Sequence, residues 1–144
     1  MGMIDISNKK IVSRTAIAEG QLILHDDTIK AIRNGNIKKG DPLKTAEASA
    51  LLAIKKTFVQ IPHCHPIPLS FSEIKFIVED DKIICQCTVK ADYKTGVEIE
   101  ALNGVFNALL TILDMVKYLE KDKNGQYQKA MIQNIRVVKK QKGE

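Results

Sequence analysis

Three prolines within seven residues, Pro62, Pro66 and Pro68, divide this chain into two stretches of regular structure. Each ring fixes φ and removes a backbone donor, so Pro62-His63-Cys64-His65-Pro66-Ile67-Pro68 can be neither helix nor central strand. Before it, residues 10–24 read as an extended, partly buried strand carrying Thr15-Ala16-Ile17-Ala18-Glu19 and Gln21-Leu22-Ile23-Leu24. Asp26-Asp27-Thr28 then caps a short helix that runs to about Arg33 and stops at Asn34-Gly35. Asp41 is a good N-cap and Pro42 a good first residue for a second helix, which the pattern carries to about Gln60. Ala48, Leu51, Leu52, Lys55, Phe58 and Val59 recur on it at helical spacing. After the proline segment come two strands, 70–78 and 82–91, joined as a hairpin by Glu79-Asp80-Asp81. Thr95-Gly96-Val97-Glu98 opens a long helix reaching about Glu120. Lys123-Asn124-Gly125 is a turn, and a last strand over 130–139 precedes a basic tail expected to fray.

The resulting order is β-α-β-β-α-β with one extra early helix. It predicts an α+β, ferredoxin-like arrangement: an antiparallel sheet with helices on one face, in a single domain over 1–144. Aromatics make up only 5% of the 144 residues and tryptophan is absent, so aliphatic side chains must fill the core. The formal charge of +5, mostly lysine, favours an anionic partner such as a phosphorylated small molecule or nucleic acid. Cys85 and Cys87 fall on one strand face with Ile83 and Val89 and read as core. An odd count of three cysteines argues against a disulfide framework and for a reducing cytoplasm. No apolar run reads as long enough to span a bilayer, and the start shows no signal segment, so no membrane partner is expected.

Four constellations can carry chemistry. In His63-Cys64-His65, neighbouring side chains on an extended chain alternate sides. At best His63 and His65 share a site, and no metal is expected. The segment is either a rigid loop whose histidines hold neighbouring backbone or a substrate loop with imidazoles able to move protons. In Lys94-Thr95-Gly96-Val97-Glu98-Ile99-Glu100, Thr95 and Glu98 have capping-box spacing. The helix start is also an anion site, and Gly96 would let a ligand approach closely. On the long helix, Leu102, Val105, Phe106, Leu109, Leu113 and Val116 mark a buried stripe. The wheel puts Lys117 inside that apolar arc, with Asp114 three residues earlier on its flank. A lysine so placed needs compensation or a task, and partial burial would lower its pKa. Lys39-Gly40-Asp41, before a helix N-terminus, sets one more lysine beside an anion-favouring end. No P-loop or dinucleotide-binding motif is present.

Taken together, Met3-Ile4-Asp5-Ile6-Ser7, Lys39-Gly40-Asp41, Ile61-Pro62-His63-Cys64-His65-Pro66, Lys94 to Leu102 and Leu110 to Lys117 resemble the MoaC family, in its order and near its spacing. The resemblance implies a cyclic pyranopterin monophosphate synthase of molybdenum cofactor biosynthesis. Its substrate, 3′,8-cyclo-7,8-dihydroguanosine 5′-triphosphate, would become cyclic pyranopterin monophosphate and pyrophosphate with no cofactor. It implies Asp114, Lys117 and Lys39 as catalytic residues. His63, Cys64, His65, Glu98, Ile99, Glu100 and Arg14 become substrate-binding or further active-site residues, with Lys117 and Asp114 an acid–base unit and Lys39 and Arg14 phosphate holders. A homo-hexamer, a trimer of dimers with sites at subunit boundaries, is implied as well. Where the family often has a hydrophobic residue before Cys64, His63 stands here. The family's Gly/Ser/Lys-rich tail is short in this chain, with Lys139 its nearest equivalent.

Two readings from other classes compete. An RNA-binding ferredoxin-like module is allowed by charge and fold, but its strands would offer little beyond Phe71 and Phe76 for base stacking. A silent assembly or metal-carrier protein could be built around His63-Cys64-His65.

Overall fold

Period-two burial makes the strands. The computed structural model describes residues 1–143. In β1 (Val12–Ile23), Arg14, Ala16, Ala18, Gly20 and Leu22 are buried and the residues between them are not. In β3 (Lys82–Tyr93), Ile83, Cys85, Cys87, Val89 and Ala91 are buried in the same alternation. Only one face of the sheet is therefore covered, and helices cover it. Between β1 and β3 lie α1 (Asp26–Arg33), α2 (Pro42–Lys55), the single turn α3 (Thr57–Gln60) and β2 (Phe71–Val78). After β3 come α4 (Glu98–Glu120) and β4 (Met131–Lys142).

The sheet order is β2-β3-β1-β4 and all three pairings are antiparallel, which is the ferredoxin-like arrangement read from the sequence. Helix α4 lies across β1, β3 and β4, with α2 beside it. The approach is close at Gly20 in β1: a Cβ there would sit 2.7 Å from Val105 of α4 and 2.9 Å from Ile135 of β4. Two register shifts on the β1–β4 pair are accompanied by a left-handed Asn134, φ 55°.

Several local expectations are corrected. The residue capping α1 is His25, whose side chain makes no capping bond. Asp26 and Asp27 lie in the first turn, and the Thr28 hydroxyl donates instead to the buried Glu120 carboxylate at the far end of α4. That carboxylate also accepts from the His25 backbone N–H at 3.1 Å, so α4 supplies the cap that α1 lacks. The second helix does not run unbroken to Gln60; it breaks at Lys56. Its buried face is Ala46, Ala50, Ala53 and Ile54, whereas Leu52, Phe58 and Val59 are exposed. On α4 the buried stripe is Ala101, Gly104, Val105, Ala108, Leu109, Ile112 and Val116, and Phe106 is exposed. The C-terminal segment is not frayed: β4 continues to Lys142, and the Gly143 N–H donates to the Ser13 carbonyl. By length and apolarity alone α4 could cross a membrane, contrary to the sequence reading; half of its most apolar window is buried inside the protein.

Candidate active site

The candidate residues fall into two clusters at opposite ends of α4. The first lies at the helix N-terminus. Pro62 to Pro68 brings His63, Cys64 and His65 against the first turn of α4, and together with Ile61, Gly96, Glu98, Ile99 and Glu100 they wall a cavity of about 300 Å³. His63 Nδ1 bonds the Gly2 carbonyl at 2.7 Å and His65 Nε2 bonds the Ile4 carbonyl at 2.8 Å. A carbonyl only accepts, so those ring nitrogens carry the protons, leaving Nε2 of His63 and Nδ1 of His65 for other work. The histidines thus hold backbone, but backbone from the N-terminal segment rather than from neighbours in the chain. Lys94 Nζ holds the same segment through the Ser7 carbonyl at 3.0 Å. Among the described residues no three His, Cys, Asp or Glu side chains are grouped as a metal set.

Behind the histidines, the Cys64 thiol donates to Glu100 Oε1 at 3.5 Å. Burial pushes the thiol up to about 11, helped by the charge of Glu100 and by the hydrogen bond to it. Glu100 is only 3% exposed, and its Oε2 has no hydrogen-bond partner among the described residues. Burial raises its pKa as well, offset only in part by its own backbone N–H and by Cys64. Glu98 behaves oppositely. Burial alone would raise it, but Lys140 Nζ at 2.6 Å, its own backbone N–H and the Arg14 charge outweigh burial and hold it below the ordinary carboxylate value. Two carboxyls two residues apart are thereby divided: one held ionised, one biased toward its protonated form.

This end of the site departs from the sequence reading in two ways. Thr95 and Glu98 form no capping box; Val97 is the N-cap and no side chain caps it. The space that Gly96 leaves is filled by the Glu98 carboxylate folding back, not left open to a ligand. Arg14 is 5% exposed and donates to the Tyr93 and Lys94 carbonyls at 3.4 and 3.2 Å, bracing the β3–α4 connection.

The second cluster lies in the C-terminal half of α4. Lys39 Nζ reaches Asp114 Oδ2 at 3.1 Å and the Asp114 carbonyl at 3.0 Å, while Lys117 Nζ lies 3.3 Å from Oδ1. Two ammonium groups on one carboxylate leave a surplus positive charge. Lys39 first and Lys117 second hold the Asp114 carboxyl below its ordinary pKa. Lys39 is set there by local design: Asp41 caps α2 through the Leu43 and Lys44 N–H groups, and the Lys38 N–H donates to the Tyr118 hydroxyl of α4 at 2.9 Å. Lys117 is not inside the buried arc; its side chain is 46% exposed, beside Asp114 on the helix flank. Leu110, Leu113, Asp114, Lys117, Tyr127 and Ala130 wall a cavity of about 320 Å³.

Fourteen residues of helix separate Glu100 from Asp114, roughly 21 Å at about 1.5 Å per residue. Within one chain the sequence-predicted residues therefore do not converge: Lys39, Asp114 and Lys117 meet, and His63, Cys64, His65, Glu98, Ile99, Glu100 and Arg14 gather elsewhere. Arg14 stands by the β3–α4 connection and Lys39 by Asp114, in different clusters of the chain. Sequence reasoning missed Lys140, which was consigned to the tail, and Tyr127. The predicted strand stops at position 139, one residue short of Lys140, and nothing local marks its continuation to Lys142 or singles out Tyr127.

A one-faced antiparallel sheet in the order β2-β3-β1-β4, with a lysine-rich carboxylate cluster and the half-buried Glu98 and buried Glu100 on its longest helix, defines the class: a ferredoxin-like α+β protein. Residues 3–143 match the MoaC family model, and the chain belongs to the MoaC family. Among curated relatives, the probable cyclic pyranopterin monophosphate synthase of Pyrococcus furiosus is 53% identical over 99% of this chain and 91% of its own length. That of Thermococcus kodakarensis is 51% identical over the same shares. A relative from Methanothermobacter thermautotrophicus, 51% identical over 99% of this chain and 89% of its own, carries the name probable cyclic pyranopterin monophosphate synthase accessory protein.

Proposed function

We infer that this protein is a cyclic pyranopterin monophosphate synthase, a lyase of molybdenum cofactor biosynthesis that acts as one catalytic domain. It converts 3′,8-cyclo-7,8-dihydroguanosine 5′-triphosphate to cyclic pyranopterin monophosphate and pyrophosphate. The observation that carries this reading is the Lys39–Asp114–Lys117 cluster, in a chain that belongs to a family whose curated members bear that name. The reaction needs proton transfers during ring opening and reclosure, and positive charge where pyrophosphate leaves. Lys117 and Asp114 act as the acid–base unit. Lys39 neutralises phosphate charge once substrate draws it from Asp114. Glu100, biased toward protonation, donates to a ring atom of the substrate, and Glu98, His63, Cys64, His65 and Ile99 shape its pocket. Arg14 acts through the Lys94 and Tyr93 carbonyls, as a positioning residue.

The two clusters serve one site if they come from two chains. A two-fold axis crossing α4 would set the N-terminal end of one copy beside the C-terminal half of its partner, since a two-fold contact is self-complementary. Exposed Phe106 and Leu110 on α4, with Leu52 on α2, supply apolar surface for such a contact. Such a contact would make a dimer; following the family resemblance, we propose a homo-hexamer built as a trimer of these dimers, working in the cytoplasm, where its three free cysteines would stay reduced. Incubation with the cyclic dihydro-GTP intermediate should release pterin product and pyrophosphate in equal amounts; the absence of both contradicts the assignment. Light scattering should give the mass of six 16.1-kDa chains.

A further inference from the structure

We propose that Tyr127 is a substrate-binding residue, its ring forming the aromatic wall against which the fused heterocycle of the guanine-derived nucleotide packs at the Asp114–Lys117 cluster. The proposal rests on the synthase reading and extends it to a residue on the α4–β4 connection.

Three observations carry it. Tyr127 shares the walls of one cavity with Asp114 and Lys117. The other walls, Leu110, Leu113 and Ala130, are apolar. Phosphate oxygens would be left unpaired against them, whereas a flat ring buries its faces there. Charge is confined to Asp114 and Lys117, with Lys39 on the far carboxylate oxygen. The cavity thus offers a non-polar slot beside a cationic edge, the division that a base linked to phosphates presents.

The second observation is the bracing of the loop. The Asp122 carboxylate accepts from the Asn124 and Gln126 backbone N–H groups at 2.8 and 2.9 Å, and from Gln128 Nε2 at 3.0 Å. Gly125 takes the left-handed conformation that the turn requires, φ 74°. Lys121 and Tyr127 pair as an isolated antiparallel bridge directly beyond the end of α4. The backbone on both sides of Tyr127 is therefore fixed before any ligand arrives, which reduces the ordering cost of binding.

The third is that Tyr127 is not spent on the fold. Its side chain is no part of the buried core, the residue is 44% exposed, and among the described residues its hydroxyl makes no hydrogen bond. Tyr118, on α4 nearby, contrasts: its hydroxyl accepts from Lys38 and its ring packs against the core.

Steady-state turnover of the cyclic dihydro-GTP intermediate by wild type, Tyr127→Phe and Tyr127→Ala tests this. Stacking of a base on an aromatic ring supports a loss of about tenfold or more on truncation. Tyr127→Ala should raise KM about tenfold with kcat within about threefold of wild type, and Tyr127→Phe should keep both. Unchanged KM in Tyr127→Ala, or an equal loss in Tyr127→Phe, overturns the proposal, the latter because the hydroxyl and not the ring would be the contact. Thermal melts accompany the kinetics, and Tyr127→Leu replaces Tyr127→Ala in the comparison if the alanine variant melts early. If wild type does not turn over the intermediate, the synthase reading fails on its own. Calorimetric titration with GTP then decides the Tyr127 proposal: about tenfold weaker binding by the alanine variant upholds it, and equal affinity or no binding by wild type overturns it.

Discussion

Glu98 and Glu100, two residues apart on one helix, are pushed in opposite directions by what surrounds them, and each shift has a consequence in solution. Glu100 is buried and titrates above the ordinary glutamate value near 4.5. Below that value the folded and unfolded chains both hold the proton, and burial carries no ionic penalty. As pH climbs toward the raised folded value, the unfolded chain gains by ionising and the folded chain does not, so stability falls. Glu100→Gln lacks this liability. Its melting temperature should rise relative to wild type between pH 4 and pH 7, and a gap that stays constant across that window contradicts the protonation bias. Asp114 has the reverse sign. Its stabilising contribution is present above its ordinary value near 3.8 and lost as pH falls through its lower folded value. Lys117→Ala removes the proposed acid–base partner while leaving Lys39 on Asp114. Turnover should drop by about a hundredfold or more with the melting temperature little changed, because the side chain is half exposed and packs in no core. Near-normal turnover contradicts its role.

Among the elements, α4 organises everything else: it covers the sheet, caps α1 through Glu120 and carries both polar clusters. Its closeness to β1 depends on Gly20. Gly20→Ala should destabilise the fold by about 1–3 kcal/mol, as overpacking does, because Val105 is β-branched and cannot swing aside. Denaturant unfolding reads this directly, and wild-type stability contradicts the packing. Element order and most boundaries were legible in the sequence, because prolines, Asp41-Pro42 and strand alternation act locally. The faces of α2 and α4 were less so. Ala46, Ala50 and Ala53 are buried because small side chains let α2 lie close to α4, yet alanine gives a weak hydrophobic signal beside Leu52 and Phe58. The cap expected from Asp26-Asp27-Thr28 and the capping box expected of Thr95 and Glu98 were sound local readings, but Glu120 and Lys140 took the partners from more than forty residues away. Long-range competition of that kind leaves no local trace. For the same reason local patterns did not show that one chain divides the candidate residues; only the family resemblance implied sites at subunit boundaries.

At the scale of the whole molecule, that division is the central fact. A roughly 21 Å helical spacing separates the acid pair from the two-lysine cluster, so the single site proposed above would draw on a second chain. The exposed apolar residues of α2 and α4 give a physical reason for copies to associate. A subunit-mixing experiment tests this most directly. Lys117→Ala and His65→Ala chains, each inactive alone, are unfolded together and refolded as a mixture. If each site draws its two clusters from different chains, a mixed dimer contains one site with both clusters intact. Random pairing should then restore about a quarter of wild-type turnover. If the mixture stays as inactive as its components while forming the same oligomer, the two clusters do not share a site across chains and the account is wrong.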